Sequence, residues 1–291
     1  MESTNFLTLP DQRQLAYAEY GDPQGYPVFY FHGSPSCRLE PLGLGNENIQ
    51  QAGIRLIAPD RPGLGQSDFQ PHRGFSNWVN DIKCLANALD LDKFSVLGMS
   101  GGSGYVAACA AKMPERLYSA VIVSGAWRMD LAEDLSPMSR MMFFFMKRVP
   151  ILYQLWQSLL AQSLKGDPEK VLARFKNQLP PADYTVLAQP GCMESIRKTK
   201  TETLRQGTKG AAHDIQLYTR EWDFNLEEIQ MPLTWFHGEQ DRNVPIDLIK
   251  QVAESLTSTQ LITYPQEGHI SLIMNQFETI TETLMAGSVS R

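Results

Sequence analysis

No apolar run in the chain approaches the stretch of about 18 residues that a membrane span needs. Met1 to Asp11 have no basic segment leading into an apolar one, so the usual signals for export and membrane insertion are missing. No Lys/Arg-rich run occurs in 291 residues of net charge -6, which sets aside a nucleic-acid partner, because binding phosphate takes a basic face. Cysteine is scarce: Cys37, Cys84, Cys109 and Cys192 lie far apart with no C-x-x-C spacing. That excludes the usual zinc and dithiol redox motifs and suits free thiols in a reducing compartment, so the expected location is the cytoplasm. Internal repeats and low-complexity tracts are absent as well. What remains is an ordinary globular composition, 43% hydrophobic and 20% charged, in a chain long enough to bury a full core without disulfide or metal staples.

Short β-branched or aromatic runs alternate with helical patterns through the first 125 or so residues, the pattern of an α/β sheet. Phe6 to Leu9 and Leu15 to Tyr20 flank Pro10-Asp11-Gln12 as an opening hairpin. Val28 to Phe31, Leu56 to Ala58, Phe94 to Leu97 and Ala120 to Val123 read as buried strands. Ser76 is placed to cap a helix carrying Val79, Ile82, Leu85, Ala86 and Leu89, and Gly102 to Met113 reads as another, halted by Pro114. From about residue 127 to 225 the pattern is helical throughout, with starts expected at Ser136-Pro137 and Asp167-Pro168. Leu233 to Phe236, a helix from about Ile246 to Leu256, Leu261 to Tyr264 and a helix from about Leu272 to Met285 then resume the alternation. The organisation expected is a core of residues 1–126 and 226–291, interrupted by a helical cap at 127–225.

Gly98-Met99-Ser100-Gly101-Gly102 matches G-x-S-x-G, a pattern that carries little alone in a chain with 21 glycines. Its setting gives it weight, because it lies directly after the strand Phe94 to Leu97 and directly before an Ala-rich helix. There the glycines let the chain turn sharply and lift the Ser100 hydroxyl clear of the sheet, with the N–H groups of the following helix aimed at developing negative charge. A serine needs a base, and the base needs a carboxylate to orient it. His269 follows the last strand in Gln266-Glu267-Gly268-His269, and Asp241 follows the strand before it. Both therefore leave the C-terminal ends of strands, where open α/β sheets gather their sites, and the chain order Ser, acid, His accompanies a nucleophile elbow. Asp130, Glu133 and Asp134, after the strand that ends near Ser124, stay open as alternative acids.

The oxyanion of an acyl-transfer intermediate needs backbone donors. Gly101 supplies one N–H, and in Phe31-His32-Gly33-Ser34-Pro35 the proline has none to offer, which leaves Ser34 as the second. His32 reads as a structural hydrogen-bonding residue, His72 as part of a surface loop, and His213-Asp214 as a solvated pair within the cap. Asp60-Arg61-Pro62-Gly63 reads as a turn that carries a strand into the next helix. Met138, Met141, Met142, Phe143, Phe144, Phe145 and Met146, followed by Leu152, Leu155, Trp156, Leu159 and Leu160 at helical spacing, form a dense apolar stretch. It either packs the cap onto the core or roofs an apolar pocket, with Phe144 and Phe145 as candidate substrate contacts.

Taken together, His32-Gly33-Ser34-Pro35, Asp60-Arg61-Pro62-Gly63, the Ser100 elbow, Asp241 and Gly268-His269 resemble the motifs of the α/β-hydrolase superfamily, in family order. The chain is similar to its capped esterases and prolyl-aminopeptidase-like branch. It departs from those peptidases in having His-Gly-Ser-Pro, not His-Gly-Gly-Pro-Gly, and in lacking a Trp after the serine; Ser100 also stands where haloalkane dehalogenases and epoxide hydrolases use an aspartate. The resemblance implies an α/β fold with a mostly parallel eight-stranded sheet, a helical cap after the sixth strand, and neither metal nor organic cofactor. It also implies Ser100 as nucleophile, His269 as base, Asp241 as acid, and the N–H groups of Ser34 and Gly101 as oxyanion hole. The activity expected is hydrolysis of a small, largely apolar carboxylic ester, with a small-molecule substrate as partner. Amide, thioester or carbon-carbon bond cleavage on the same triad, and a non-catalytic small-molecule receptor, stay open as alternatives.

Overall fold

Successive residues of a strand face opposite sides of a sheet, and here the two sides are both buried. Phe29 and Phe31 of one strand pack into one apolar cluster while Val28 and Tyr30 pack into another. A strand buried on both faces has to be nearly continuously apolar, which is why Tyr26–Phe31, Phe94–Met99 and Leu117–Val123 lack a polar alternation. The computed structural model describes residues 4–127, 148, 150–164, 166–256 and 258–289. Within them lie β1 (Asn5–Thr8), β2 (Gln14–Gly21), β3 (Tyr26–Phe31), β4 (Ile54–Pro59), β5 (Phe94–Met99), β6 (Leu117–Val123), β7 (Leu233–Gly238) and β8 (Thr259–Tyr264). They form one eight-stranded sheet in the order β1-β2-β4-β3-β5-β6-β7-β8. β1 and β2 are antiparallel, as are β2 and β4, and every later pairing is parallel.

On one face, α2 (Phe75–Ala88), α3 (Ser103–Lys112) and α9 (Ile246–Ser255) cover Phe29, Phe31, Val96, Ile122 and Trp235. On the other, α1 (Asn46–Gln51), α10 (Ser271–Asn275) and α11 (Phe277–Val289) cover Val28, Leu56, Leu97, Val121 and Phe236. The strands read from sequence are all present. The C-terminal helix is not continuous as expected, since α10 ends at Asn275 and α11 begins at Phe277. α1 had no counterpart in the sequence reading.

Between β6 and β7 the described residues form helices and no strand: α4 (Pro150–Ser163), α5 (Pro168–Phe175), α6 (Pro181–Leu187), α7 (Cys192–Thr203) and α8 (Lys209–Gln216). The start expected at Asp167-Pro168 is present, with the Asp167 carboxylate accepting the Lys170 N–H at 3.1 Å. The start expected at Ser136-Pro137 lies outside the described residues, as does the stretch Met138 to Met146 with Phe144 and Phe145. So do the alternative acids Asp130, Glu133 and Asp134. Leu152, Leu155, Trp156 and Leu159 are exposed, while Tyr153 and Gln157 of the same helix are buried, so the apolar spacing read in α4 marks its outer side. Among the described residues no helix is long and apolar enough to cross a membrane.

α2 shows how a remote side chain replaces an expected local cap. Phe75, Trp78, Val79, Ile82, Leu85 and Ala86 bury one face of it at helical spacing. Ser76, expected as its N-cap, lies inside the first turn. The free N–H groups of Phe75 and Ser76 are taken by the carboxylate of Asp223, at 3.0 and 3.1 Å, while the Ser76 hydroxyl only donates to the Asp223 carbonyl. Asp223→Ala is therefore expected to cost about 1 kcal/mol of stability in urea unfolding followed by tryptophan fluorescence, with Ser76→Ala costing clearly less. The reverse ranking would restore Ser76 as the cap.

Candidate active site

β5 ends at Met99 and the next residue, Ser100, has φ of 51°, a left-handed conformation that a non-glycine residue rarely adopts. The turn is held so tightly against β3 that a Cβ on Gly102 would collide with the Phe31 carbonyl oxygen. Ala126 N–H donates to the Ser100 carbonyl at 3.0 Å and fixes the turn from the far end of β6. The Ser100 side chain lines a cavity of about 300 Å³ together with His269 and Ser34. The Ser100 hydroxyl makes no hydrogen bond among the described residues.

Asp241 and His269 come together from neighbouring strands. The Asp241 carboxylate is an acceptor only, so His269 carries its proton on Nδ1 and donates it to Asp241 Oδ2 at 2.7 Å, leaving Nε2 as the basic atom. The second oxygen of Asp241 accepts the N–H groups of Asn243 and Val244 at 2.8 and 3.0 Å, which locks the carboxylate in the loop after β7. Burial pushes its pKa up, but the His269 charge and hydrogen bond outweigh that and hold it below the usual carboxylate value. His269 is fastened at both backbone groups. Ser124 Oγ donates to its carbonyl at 2.9 Å, and its N–H reaches Asp183 Oδ2 at 3.1 Å.

Asp183 belongs to α6, within the inserted helices. Its carboxylate also accepts the N–H groups of Ile270 and Ser271, at 3.0 and 2.8 Å, which are free donors at the start of α10. Burial drives the His269 pKa down, whereas the charge and hydrogen bond of Asp241, followed by the charges of Asp183 and Glu40, drive it up by more. The net result is an imidazole more basic than the ordinary 6.5.

The loop after β3 is held on two sides. Arg61 donates to the His32 carbonyl and, at 2.8 Å, to the Gly33 carbonyl. Glu40, itself hydrogen-bonded by Tyr30 at 2.7 Å, accepts the Gly33 N–H at 2.9 Å. The Ser34 N–H is left without an acceptor among the described residues. A Cβ on Gly101 would collide with Ser34 Cβ and stand 2.9 Å from Ser34 N, so these residues are in close contact beside Ser100. Gly101 lies in the first turn after the serine, where N–H groups have no helical partner. His32 accepts the Arg61 N–H at Nε2 and donates from Nδ1 to the Gly33 carbonyl at 2.9 Å, a structural role as expected. His72 lies on the surface, also as expected.

Asp214 overturns the expectation of a solvated pair with His213. It is fully buried, and its carboxylate takes Arg61 at 3.0 and 2.7 Å, Arg73 at 2.8 Å, the Tyr105 hydroxyl and the Ser34 hydroxyl. Burial alone would raise its pKa, but the two guanidiniums hold it far below the usual carboxylate range. His213 stays half-buried, with Nε2 at 3.2 Å from the Arg73 carbonyl. Asp60, at the start of the same turn, is buried against Arg38 at 2.6 Å; burial pushes it up to about 6 against the pull of that guanidinium.

The cavity is walled by Leu44, Met99, Ile273 and Met274 of the core and by Val186, Leu187, Ile196 and Lys200 of α6 and α7. α7 was missed as a wall, although Cys192, Ser195, Ile196 and Thr199 repeat at i, i+3, i+4 and i+7, the spacing of one helical face. Among the described residues no group of three or more His, Cys, Asp or Glu is arranged to hold a metal ion. Removing the Asp214 carboxylate leaves two buried guanidiniums without their counter-ion, so Asp214→Ala should lose about 3–5 kcal/mol in urea unfolding. A loss below 1 kcal/mol would mean that the cluster relaxes to water.

Comparison with known proteins agrees with this architecture. The chain is 24% identical to a bifunctional esterase/perhydrolase from Acinetobacter calcoaceticus, over 97% of its own length and 98% of that protein. It is 28% identical to a non-heme chloroperoxidase from Streptomyces lividans, over 96% of its own length and 98% of that protein. Its structure is similar to that of a thermophilic esterase from Thermogutta terrifontis, with TM-score 0.66, 22% identity, and 98% and 97% of the two chains covered. The family model described as alpha/beta hydrolase fold matches residues 26–276, and with that match and the sheet order above, the chain belongs to the α/β-hydrolase fold family.

Proposed function

We propose that the protein is a serine hydrolase that cleaves small, largely apolar carboxylic esters through an acyl-enzyme, with Ser100, His269 and Asp241 as its triad. The observation that carries this reading is the 2.7 Å hydrogen bond between Asp241 and His269 in a cavity shared with a serine held at positive φ. Ser100 Oγ attacks the ester carbonyl while His269 Nε2 takes its proton, and Asp241 stabilises the imidazolium that forms. The oxyanion is received by the N–H groups of Ser34 and Gly101. His269 then gives its proton to the departing alcohol, and water, deprotonated by the same imidazole, releases the acid and restores Ser100. The apolar side chains around the cavity suit the methylene part of an acyl chain, and α6 and α7 of the inserted helices close one side of it.

A fluorophosphonate should add one phosphonyl group to wild type, with loss of fluoride, and none to Ser100→Ala, as read by intact mass with circular dichroism confirming the fold. The same substitution should lower kcat for short 4-nitrophenyl esters by about 10⁶-fold, the scale found when a triad serine is removed. An unlabelled, well-folded wild type would sink the serine-hydrolase reading.

The base must be neutral to accept the serine proton, so a raised His269 pKa moves the acid side of the pH-rate profile upward. kcat/KM for a neutral ester should fall as the pH drops, with a midpoint above 6.5. A midpoint below that value would mean that burial outweighs Asp241, Asp183 and Glu40.

A further inference from the structure

Lys200 stands in the cavity wall on the same side of α7 as Ile196, and both line the space that Ser100 and His269 enter. Its ammonium donates to the side-chain oxygen of Gln157, a buried neutral amide on α4. It forms no ion pair among the described residues. The carboxylate in the same cavity, Glu40, is taken up by the Tyr30 hydroxyl and the Gly33 N–H. Burial without a counter-ion pulls the Lys200 pKa down to about 8, so the group is still mostly protonated at neutral pH. A protonated lysine has three N–H donors, and one neutral acceptor leaves both the charge and further donors uncompensated. Lys200 is half-buried, and a cation left without a counter-ion in the wall of a cavity is poised to be paired by what enters it.

We infer that Lys200 is a specificity-determining residue that binds a carboxylate carried by the substrate, so that the preferred substrates are half-esters of dicarboxylic acids. The apolar wall contributed by Leu187, Ile196, Ile273 and Met274 receives the methylene chain, and the ammonium receives its acidic end. The inference deepens the ester-hydrolase reading and rests on it, because it takes this cavity to be the acyl site.

The test compares 4-nitrophenyl hydrogen glutarate with 4-nitrophenyl hexanoate, a neutral ester of similar length, on wild type, Lys200→Met and Lys200→Arg, each checked for folding by circular dichroism. The ratio of kcat/KM for the half-ester to that for the hexanoate should fall about tenfold or more in Lys200→Met. Lys200→Arg should recover part of it. Calorimetric binding of free glutarate to wild type, weakened at least tenfold in Lys200→Met, reads the same contact without turnover. A ratio unchanged by Lys200→Met, or glutarate binding that does not depend on Lys200, overturns the inference. Absence of hexanoate turnover and of fluorophosphonate labelling would instead count against the serine-hydrolase reading, and the glutarate measurement would still decide the role of Lys200.

Discussion

The buried carboxylate of Asp214 is the point on which the candidate site depends. It gathers Arg61 from the turn after β4, Arg73 from the approach to α2, Tyr105 from α3 and Ser34 from the loop after β3. A buried ion cluster of this kind is weak evidence for stability, because desolvating the charges costs about as much as their attraction returns. Its value here is positional. Arg61 spends its remaining donors on the carbonyls of His32 and Gly33. Without it the His32 carbonyl would lose this partner and the Gly33 carbonyl would keep only His32 Nδ1, and the guanidinium thereby fixes the loop that carries the Ser34 N–H beside Gly101. An apolar substitute of equal volume could fill the space but could not orient the loop.

Much of the fold was legible in the sequence because the strands buried on both faces leave a continuous apolar record, and the half-exposed β1 and β8 still show as short runs rich in aromatic or β-branched residues. All eight strands stand where short apolar runs were bounded by Gly, Pro or small polar residues, and the helix of Trp78, Val79, Ile82 and Leu85 shows its period directly. The placement of Ser100, Asp241 and His269 after the C-terminal ends of β5, β7 and β8 was legible for the same reason, since Ser100 follows its run directly and the other two lie in the short loops that leave theirs. The contacts that order these residues were not. Asp183 lies 86 residues before His269 and Asp214 lies 180 residues after Ser34. Nothing local distinguishes these two acids from solvated ones, and His213-Asp214 read as surface for that reason. Asp223 is a similar case, since its carboxylate caps a helix that begins 148 residues earlier, where Ser76 offered a plausible local cap. Local propensity decides which elements form; which polar side chain satisfies their ends is decided by tertiary proximity.

Asp183 and Asp214 together give the inserted helices a role beyond covering the cavity. α6 holds the His269 loop through three N–H groups, and α8 holds the Ser34 loop through Asp214. Each carboxylate is at most 2% exposed and is matched to buried donors, so drawing α8 away would strand charge on both sides of the break and drawing α6 away would strand the Asp183 carboxylate and three N–H groups. Large movements of α6 and α8 relative to the sheet are therefore opposed by the same contacts that order the site. Val186, Leu187, Ile196 and Lys200 of the cavity wall belong to α6 and α7, between those two anchors. Under the proposed function, substrate selection and the geometry of Ser100, His269 and Asp241 are thus coupled mechanically. A substitution at Val186 or Leu187 that repacks α6 displaces Asp183, and through it the backbone that carries the His269 imidazole, whereas the helix of Lys200 makes no such hydrogen bond to the His269 loop among the described residues, so that on the proposed reading Lys200 changes selectivity with Ser100, His269 and Asp241 left in place.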